Sequence, residues 1–255
     1  MRMEKKHNKL TALEREKISI WLAQEIGKRE ISRRLNRSDS TIRDEIKRNS
    51  FDDTIRWYDA NAKQYSENIG SFSNPELLDE FAKTVGGDKK VLDAGCAGGR
   101  DSHLLKNLGL QPIGVDLSKS LLKVAREKYP AIEFRYGNFL NLPFEDEIFD
   151  GIWAHASLLH FETTDDIKRA LEEFNRVLKQ DGVIHVFVKQ QLGKEKTSVV
   201  SDKLSGHDRF FQWFTKDEII NLLEEAGFTI INLQDNYPDP ADRKEVRWVL
   251  ALARK

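Results

Sequence analysis

Residues 91–102 read VLDAGCAGGRDS, and the fold turns on them. A short buried strand, KVLDA (90–94), runs into a glycine-rich turn, and RDSHLLKNL follows with helical spacing. Gly95 and Gly99 permit a tight bend and a close backbone approach, while the helix behind aims free N–H groups at whatever sits there. Outward from the turn the pattern alternates. QPIGVDL (111–117), AIEFRY (131–136), IFDGIWAH (148–155) and GVIHVFVK (182–189) read as strands, with helices at LLKVAREKY and at 165–179. A helix at 215–226 then precedes FTIINL (228–233) and EVRWVLALA (245–253), which lack a helix between them and finish antiparallel. Strand–helix alternation predicts an α/β domain: seven strands, mostly parallel, with helices on both faces.

Ligands in such sheets bind beyond the carboxyl ends of the strands. The second strand ends PIGVDLS, putting Asp116 about 20 residues after the turn, where a carboxylate takes both hydroxyls of a ribose. The third strand leads into GNFLNLPF, placing Asn138 beside a base. The spacing is not the G-x-G-x-x-G of dinucleotide sites, and no G-x-x-x-x-G-K-[ST] occurs.

From about residue 52 onward the chain resembles the class I S-adenosylmethionine-dependent methyltransferases, whose first turn reads D/E-x-G-x-G-x-G. Asp93, Gly95 and Gly99 match and Ala97 replaces a glycine. The resemblance implies a Rossmann-like sheet and S-adenosyl-L-methionine as cofactor. It sets Asp93 and Gly95 against the methionine part, with Gly99, Arg100 and Tyr65 around the same turn. Asp116 takes the ribose, Leu117 packs on adenine, Asn138 and Phe139 meet the adenine edge, and His155 lines the methyl-donor pocket. TIRWYDANAKQYSENI, GRDSHLL, FDGIWAHASLLHF and RFFQWFT resemble a bacterial subgroup of presumed small-molecule methyltransferases.

Methyl transfer from a sulfonium needs alignment and exclusion of water, and a base only when the acceptor carries a proton. His155 and His160 in AHASLLHF are the expected bases, with Tyr58 and Tyr65 closing the pocket from the helix in front. That helix is expected from Phe51 to about Gly70. The segment 190–214 reads as a long polar loop of the lid type, its Phe210, Phe211, Trp213 and Phe214 forming an apolar wall. Arg209 and Arg247 are candidates to clamp an anionic acceptor.

The first fifty residues differ in charge: 14 Lys/Arg against 8 Asp/Glu, leaving 27 and 34 for the remainder. Three short helices fit there, one opened by a Thr11–Glu14 capping box, one after Gly27 and one capped by Ser38 or Ser40. Ile31, Leu35, Ile42 and Ile46 are their expected shared core. This segment, above all RSDSTIRDEIKRN, resembles the helix-turn-helix of bacterial insertion-sequence transposases, though Glu25 and Gly27 depart from the turn's pattern. The resemblance implies contact with double-stranded DNA: Ser40, Thr41, Arg43 and Asp44 at base edges, Arg37, Lys47 and Arg48 at phosphates. The domain division expected is 1–50 and 51–255, the two parts abutting and sharing the helix around 44–65.

DNA methylation is not expected. The place after the fourth strand reads HASLLHF rather than [DNS]-P-P-[YFW], and the single cysteine, Cys96, has no proline before it. One cysteine also gives no disulfide framework and no cysteine-based zinc site, consistent with a cytoplasmic protein that uses no metal and no membrane. The expected function is methyl transfer to a small molecule. The alternative is a DNA-binding regulator whose methyltransferase fold senses cofactor or metabolite.

Overall fold

The computed structural model describes Thr11, Glu14, Lys17, Ile18 and residues 27–69, 74–202 and 206–255, without the side chains of 44–52, 201 and 202. The chain forms two compact units, Met1–Asp53 and Thr54–Lys255.

In the first unit, α1 (Lys28–Leu35) starts at Gly27 and stops at Asn36, whose left-handed backbone turns the chain. The Ser38 hydroxyl accepts from the Thr41 amide at 3.0 Å, so Ser38 is the cap that starts α2 (Asp39–Ala60). Ile18, Ile31 and Ile42 are fully buried, whereas Leu35 is half-buried. The Thr11–Glu14 capping box forms in both directions, at 2.8 and 3.2 Å. Glu14 also receives a bidentate pair from the Arg37 Nε and Nη2 atoms, at 2.9 and 3.0 Å. Those Arg37 bonds, with the Thr11 amide, hold the Glu14 carboxyl down at about 2. Arg37 is therefore a buried internal strut, a geometry unlike the phosphate contact expected of it.

α2 runs on to Ala60, so no helix starts at Phe51. Nothing between Ser50 and Ala60 is a glycine or proline that would break a helix. The break comes instead at Asn61, after which α3 covers Ala62–Asn68 and α4 Pro75–Val85.

The second unit is built on a seven-stranded sheet. Its strands are β1 (Lys90–Ala94), β2 (Gln111–Asp116), β3 (Glu133–Tyr136), β4 (Phe149–His155), β5 (Leu178–Lys189), β8 (Thr229–Pro238) and β9 (Arg247–Arg254), in the order β3-β2-β1-β4-β5-β9-β8. The first five pair in parallel, Leu92 lying between Ile113 and Ile152, and β9 pairs antiparallel with both β5 and β8. Central strands buried on both faces read as apolar runs, which is why VLDA, GIWA and VIHVFV gave them away. The helices are α5 (Arg100–Asn107), α6 (Lys119–Lys128), α7 (Thr164–Val177) and α8 (Lys216–Glu225). The order reverses direction between β1 and β4. Right-handed crossovers therefore put α5 and α6 on one face and α7 on the other, and leave a crevice at the β1 and β4 tips.

The 190–214 segment is not a loop. It carries a two-stranded hairpin, β6 (Thr197–Asp202) with β7 (His207–Gln212). The β-branched TSVV run opposite the aromatic RFF run supplies the cross-strand pairs that hold such a ribbon. Phe214 is buried in the core, where it lines a small apolar cavity with Leu158, Leu171, Val186 and Leu223.

Candidate active site

The crevice is built around the turn after β1. Gly95 has φ +85° and its amide donates to the Val115 carbonyl at 2.8 Å. A Cβ there would stand 2.5 Å from the Ser157 Cβ, so the turn lies flush against the β4 end and only glycine fits. At Gly98 the side chain of Ser66 from α3 fills the corresponding space, a Cβ meeting the Ser66 Cβ at 2.8 Å. Ser66 and Ser157 thus flank the turn from opposite elements, and both hydroxyl oxygens are buried without a hydrogen-bond partner among the described residues. Two orphaned hydroxyls beside a glycine turn and a helix N-terminus fit the charged amino-acid end of a ligand.

Asp116 ends β2 and fixes this geometry. Its Oδ2 accepts from the Ala97 amide at 2.9 Å and its Oδ1 from the Ser118 amide at 2.8 Å. Burial raises its pKa against those two amides. A carboxylate has about four acceptor positions, so lone pairs remain for a ribose. Ala97 occupies the left-handed region, φ +47°, where glycine would be at ease. Leu117 is half-buried beside it; Asn138 turns its own loop by accepting from the Leu140 amide at 3.0 Å; Phe139 packs on Phe174 with centroids 5.3 Å apart.

Beneath the turn sits a carboxylate pair. Asp93 accepts from Ser102 Oγ at 2.5 Å, and burial together with the neighbouring Asp101 pushes its carboxyl up to about 8. Asp101 is buried too, yet it is held low by Arg100 at 2.7 Å, with Trp153 Nε1 donating at 3.1 Å. Arg100 also donates to the Ile69 carbonyl at 2.7 Å and so ties the end of the 54–69 segment to α5. Further ties on that segment run from Asp59, which accepts from the Ser118 hydroxyl at 2.6 Å and the Ser120 amide at 2.9 Å, and from Thr54, which accepts from the Phe210 amide at 3.0 Å. Cys96 is buried, which raises its thiol far above the usual range and removes it as a nucleophile.

The two histidines occupy different surroundings. His155 Nδ1 lies 3.1 Å from His185 Nε2 and its Nε2 lies 3.2 Å from the Asn74 side-chain Nδ2. Its ring is stacked 4.3 Å from Phe187. Burial lowers it to about 4, so it is a neutral, fully engaged strut at the β4 tip. His160 follows in the 3-10 turn Leu158–His160. Its Nδ1 is 2.8 Å from the Phe210 carbonyl, which only accepts, so the proton sits on Nδ1. Nε2 then accepts from the Tyr58 hydroxyl at 3.0 Å, giving the chain Tyr58–His160–Phe210. Burial lowers His160 to about 4 as well, and Arg209 and Lys189 add to that.

Tyr58 and Tyr65 meet edge to face at 5.0 Å, and the Arg209 guanidinium lies 3.7 Å from the Trp57 ring. Tyr58, Tyr65, His160 and Arg209 are therefore one cluster, joined by Phe210 through its backbone. Arg247 is not in it: its Nη1 donates to the Lys244 and Val246 carbonyls at 3.0 and 2.8 Å and fastens the loop before β9. In the first unit Ser40 and Arg43 are exposed and Thr41 is half-buried, while the Asp44, Lys47 and Arg48 side chains lie outside the described residues. Sequence reasoning missed Asp59, Ser66, Asn74, Asp101, Ser157 and His185. Ser66 and Asp59 carry no spacing signal, though the GRDS run did contain Asp101 beside the turn.

Residues 92–186 match a family described as "Methyltransferase domain", and residues 6–49 match one described as "Helix-turn-helix domain". An O-methyltransferase of Penicillium expansum is 28% identical over 188 residues, 70% of this chain and 65% of that protein. A demethylmenaquinone methyltransferase of Chlorobaculum parvum is 32% identical over 142 residues, 54% of this chain and 58% of that protein. The chain thus spans less than two thirds of either relative. Among solved structures, the 1,6-didemethyltoxoflavin-N1-methyltransferase of Burkholderia thailandensis superposes with TM-score 0.64 at 21% identity, covering 80% of this chain and 87% of that one. That structure holds 1,6-didemethyltoxoflavin and S-adenosylhomocysteine. The sheet described above is the Rossmann-like fold of S-adenosylmethionine-dependent methyltransferases.

Two expectations follow from this geometry. Ala97→Gly relieves the left-handed strain, worth about 0.5–1 kcal/mol after the added chain entropy of glycine, and calorimetry should show a melting temperature raised by about 2–4 °C. An unchanged or lower value contradicts the strain. Neutral burial of His155 and His160, at about 4 against the usual 6.5, contributes stability in full above 6.5 that is lost as pH falls toward 4. Asp93, raised from 3.8 to about 8, has the opposite sign and lowers stability as pH rises through that range. The melting temperature of His160→Asn should accordingly fall less steeply than wild type on acidification across that histidine window; equal slopes contradict the assignment.

Proposed function

We propose that the chain, whose residues 92–186 match the methyltransferase domain family and residues 6–49 a helix-turn-helix family, transfers a methyl group from S-adenosyl-L-methionine to a small-molecule acceptor. The observation that carries the reading is the pair of orphaned hydroxyls, Ser66 and Ser157, closing on a glycine turn whose neighbouring strand ends in Asp116. When bound, the sulfonium supplies the electrophilic methyl. The chain's own residues do the rest. Gly95, Ser66 and Ser157 receive the amino-acid end, with Arg100 and Tyr65 close by, and Asp116 receives the sugar. Leu117, Asn138 and Phe139 border the base. Asp93 and Gly99 shape the turn from below and behind.

On the acceptor side Tyr58 and His160 form a path for a proton. The Tyr58 proton points at His160 Nε2, and its hydroxyl is also hydrogen-bonded with Tyr65 and Arg209, so an acceptor hydroxyl reaches it by displacing one of these two. His155 has no such free nitrogen, which favours a supporting role at the β4 tip over that of a base. The tied-down 54–69 segment excludes water from the crevice, a requirement of displacement at a methyl carbon.

The helix-turn-helix unit supports DNA contact as an accessory property, with Ser40, Thr41 and Arg43 on the first turn of α2 and Lys47 and Arg48 further along it.

Calorimetric titration with S-adenosylhomocysteine tests the first reading. Asp116→Asn keeps the shape but removes the charge that a ribose meets, so affinity should drop by about 1.5–3 kcal/mol, ten- to hundredfold. Equal affinity of variant and wild type sinks the placement. For the second, selection from a random duplex library should enrich one sequence. Arg43→Ala should bind it about tenfold more weakly with S-adenosylhomocysteine affinity unchanged. Failure to enrich any sequence ends the DNA reading.

A further inference from the structure

Lys189 and Arg209 stand on the acceptor side with no ion pair among the described residues. Residues two apart on a strand share a face, so Arg209 and Phe211 project together from β7, and Trp213 follows directly after its end. The Lys189 ammonium, at the end of β5, lies over the Phe211 ring, 3.8 Å from its centroid, and the Arg209 guanidinium lies 5.5 Å from the same centroid. Arg209 Nε and Trp213 Nε1 are buried and neither has a hydrogen-bond partner among the described residues. The acid whose field reaches Lys189 is Asp239, and it is already engaged by Arg243 at 2.7 and 2.8 Å and by Trp248 at 2.8 Å. Burial, followed by repulsion from Arg243 and Arg209, lowers Lys189 to about 8.

Packing alone explains the Arg209–Trp57 stack but not the rest. Buried donors left unmade carry a desolvation penalty, and like charges brought together out of water add to it. Alongside the unsatisfied oxygens of Gln191 and Gln212, Arg209 Nε and Trp213 Nε1 are unmet donors, and with two cations beside each other the partner that fits them is an acceptor with negative charge. The rings of Trp57, Tyr58, Tyr65 and Phe211 around it suit a planar apolar body.

Resting on the methyl-transfer reading above, we propose that Lys189, Arg209 and Trp213 form an oxyanion subsite, and that the acceptor is a small aromatic acid whose carboxylate they hold while its hydroxyl meets Tyr58. Fixing the acid group at one end and the hydroxyl at the other orients the ring for in-line attack. Loading the anion also offsets the two cations that weaken His160 as a base.

The test uses the full chain saturated with S-adenosylhomocysteine, titrated with 2-, 3- and 4-hydroxybenzoate and with the matching hydroxybenzyl alcohols, which keep the shape without the charge. At least one acid should bind about tenfold more tightly than its alcohol. In the double variant Lys189→Met, Arg209→Gln that preference should shrink to about twofold or less, with S-adenosylhomocysteine affinity unchanged. No preference in any pair overturns the subsite, and so does a preference that survives in the double variant. Absence of S-adenosylhomocysteine binding in wild type is a separate failure, of the methyl-transfer reading, and takes this proposal with it.

Discussion

Everything in the second unit is arranged around a backbone that must come closer to its surroundings than any side chain allows. At Gly95 there is no room for a Cβ beside Ser157, and the turn keeps that path because Asp116 accepts from the Ala97 amide. The same carboxylate accepts from the Ser118 amide and so sets where α6 begins. Ser118 caps α6 and passes its hydroxyl to Asp59, which fixes the 54–69 segment in turn. One carboxylate therefore couples the glycine turn, the start of a helix and the segment that closes the crevice.

The charges divide along the crevice. At the turn Asp93 is held protonated at neutral pH and Arg100 answers Asp101, so Asp116 is the carboxylate toward which a cationic sulfonium would be drawn. Lys189 and Arg209 stand on the other side, beyond His160. A positively charged donor and a negatively charged acceptor would each meet the opposite sign, and His160 and Tyr58 lie between, neutral and hydrogen-bonded. This polarity is invisible in a net charge of −1.

The sheet was legible because its strands are buried on both faces and must be apolar throughout, and because glycine and aspartate at 95 and 116 have few structural substitutes. The hairpin at 197–212 was hidden, since a two-stranded ribbon half in solvent lacks a continuous apolar run and looks polar. The helix start expected at Phe51 was misplaced because charge and motif change there while helix propensity does not. Partners that come from distant chain positions were unreadable. Ser66 reaches Gly98, Asp59 reaches Ser118 and Phe210 lends a carbonyl to His160, none of them at a spacing that periodicity reports. Arg247 was read by charge alone, and its neighbours' carbonyls had the prior claim.

The occupant of the crevice at the β1 and β4 tips decides the methyl-transfer reading. A crystal structure of the full chain grown with S-adenosylhomocysteine tests it most directly. It predicts density with the ribose hydroxyls on Asp116 and the amino-acid end between Ser66 and Ser157. Density elsewhere on the chain, or an apo crevice with Ser66 and Ser157 still closed on the turn at saturating ligand, contradicts it.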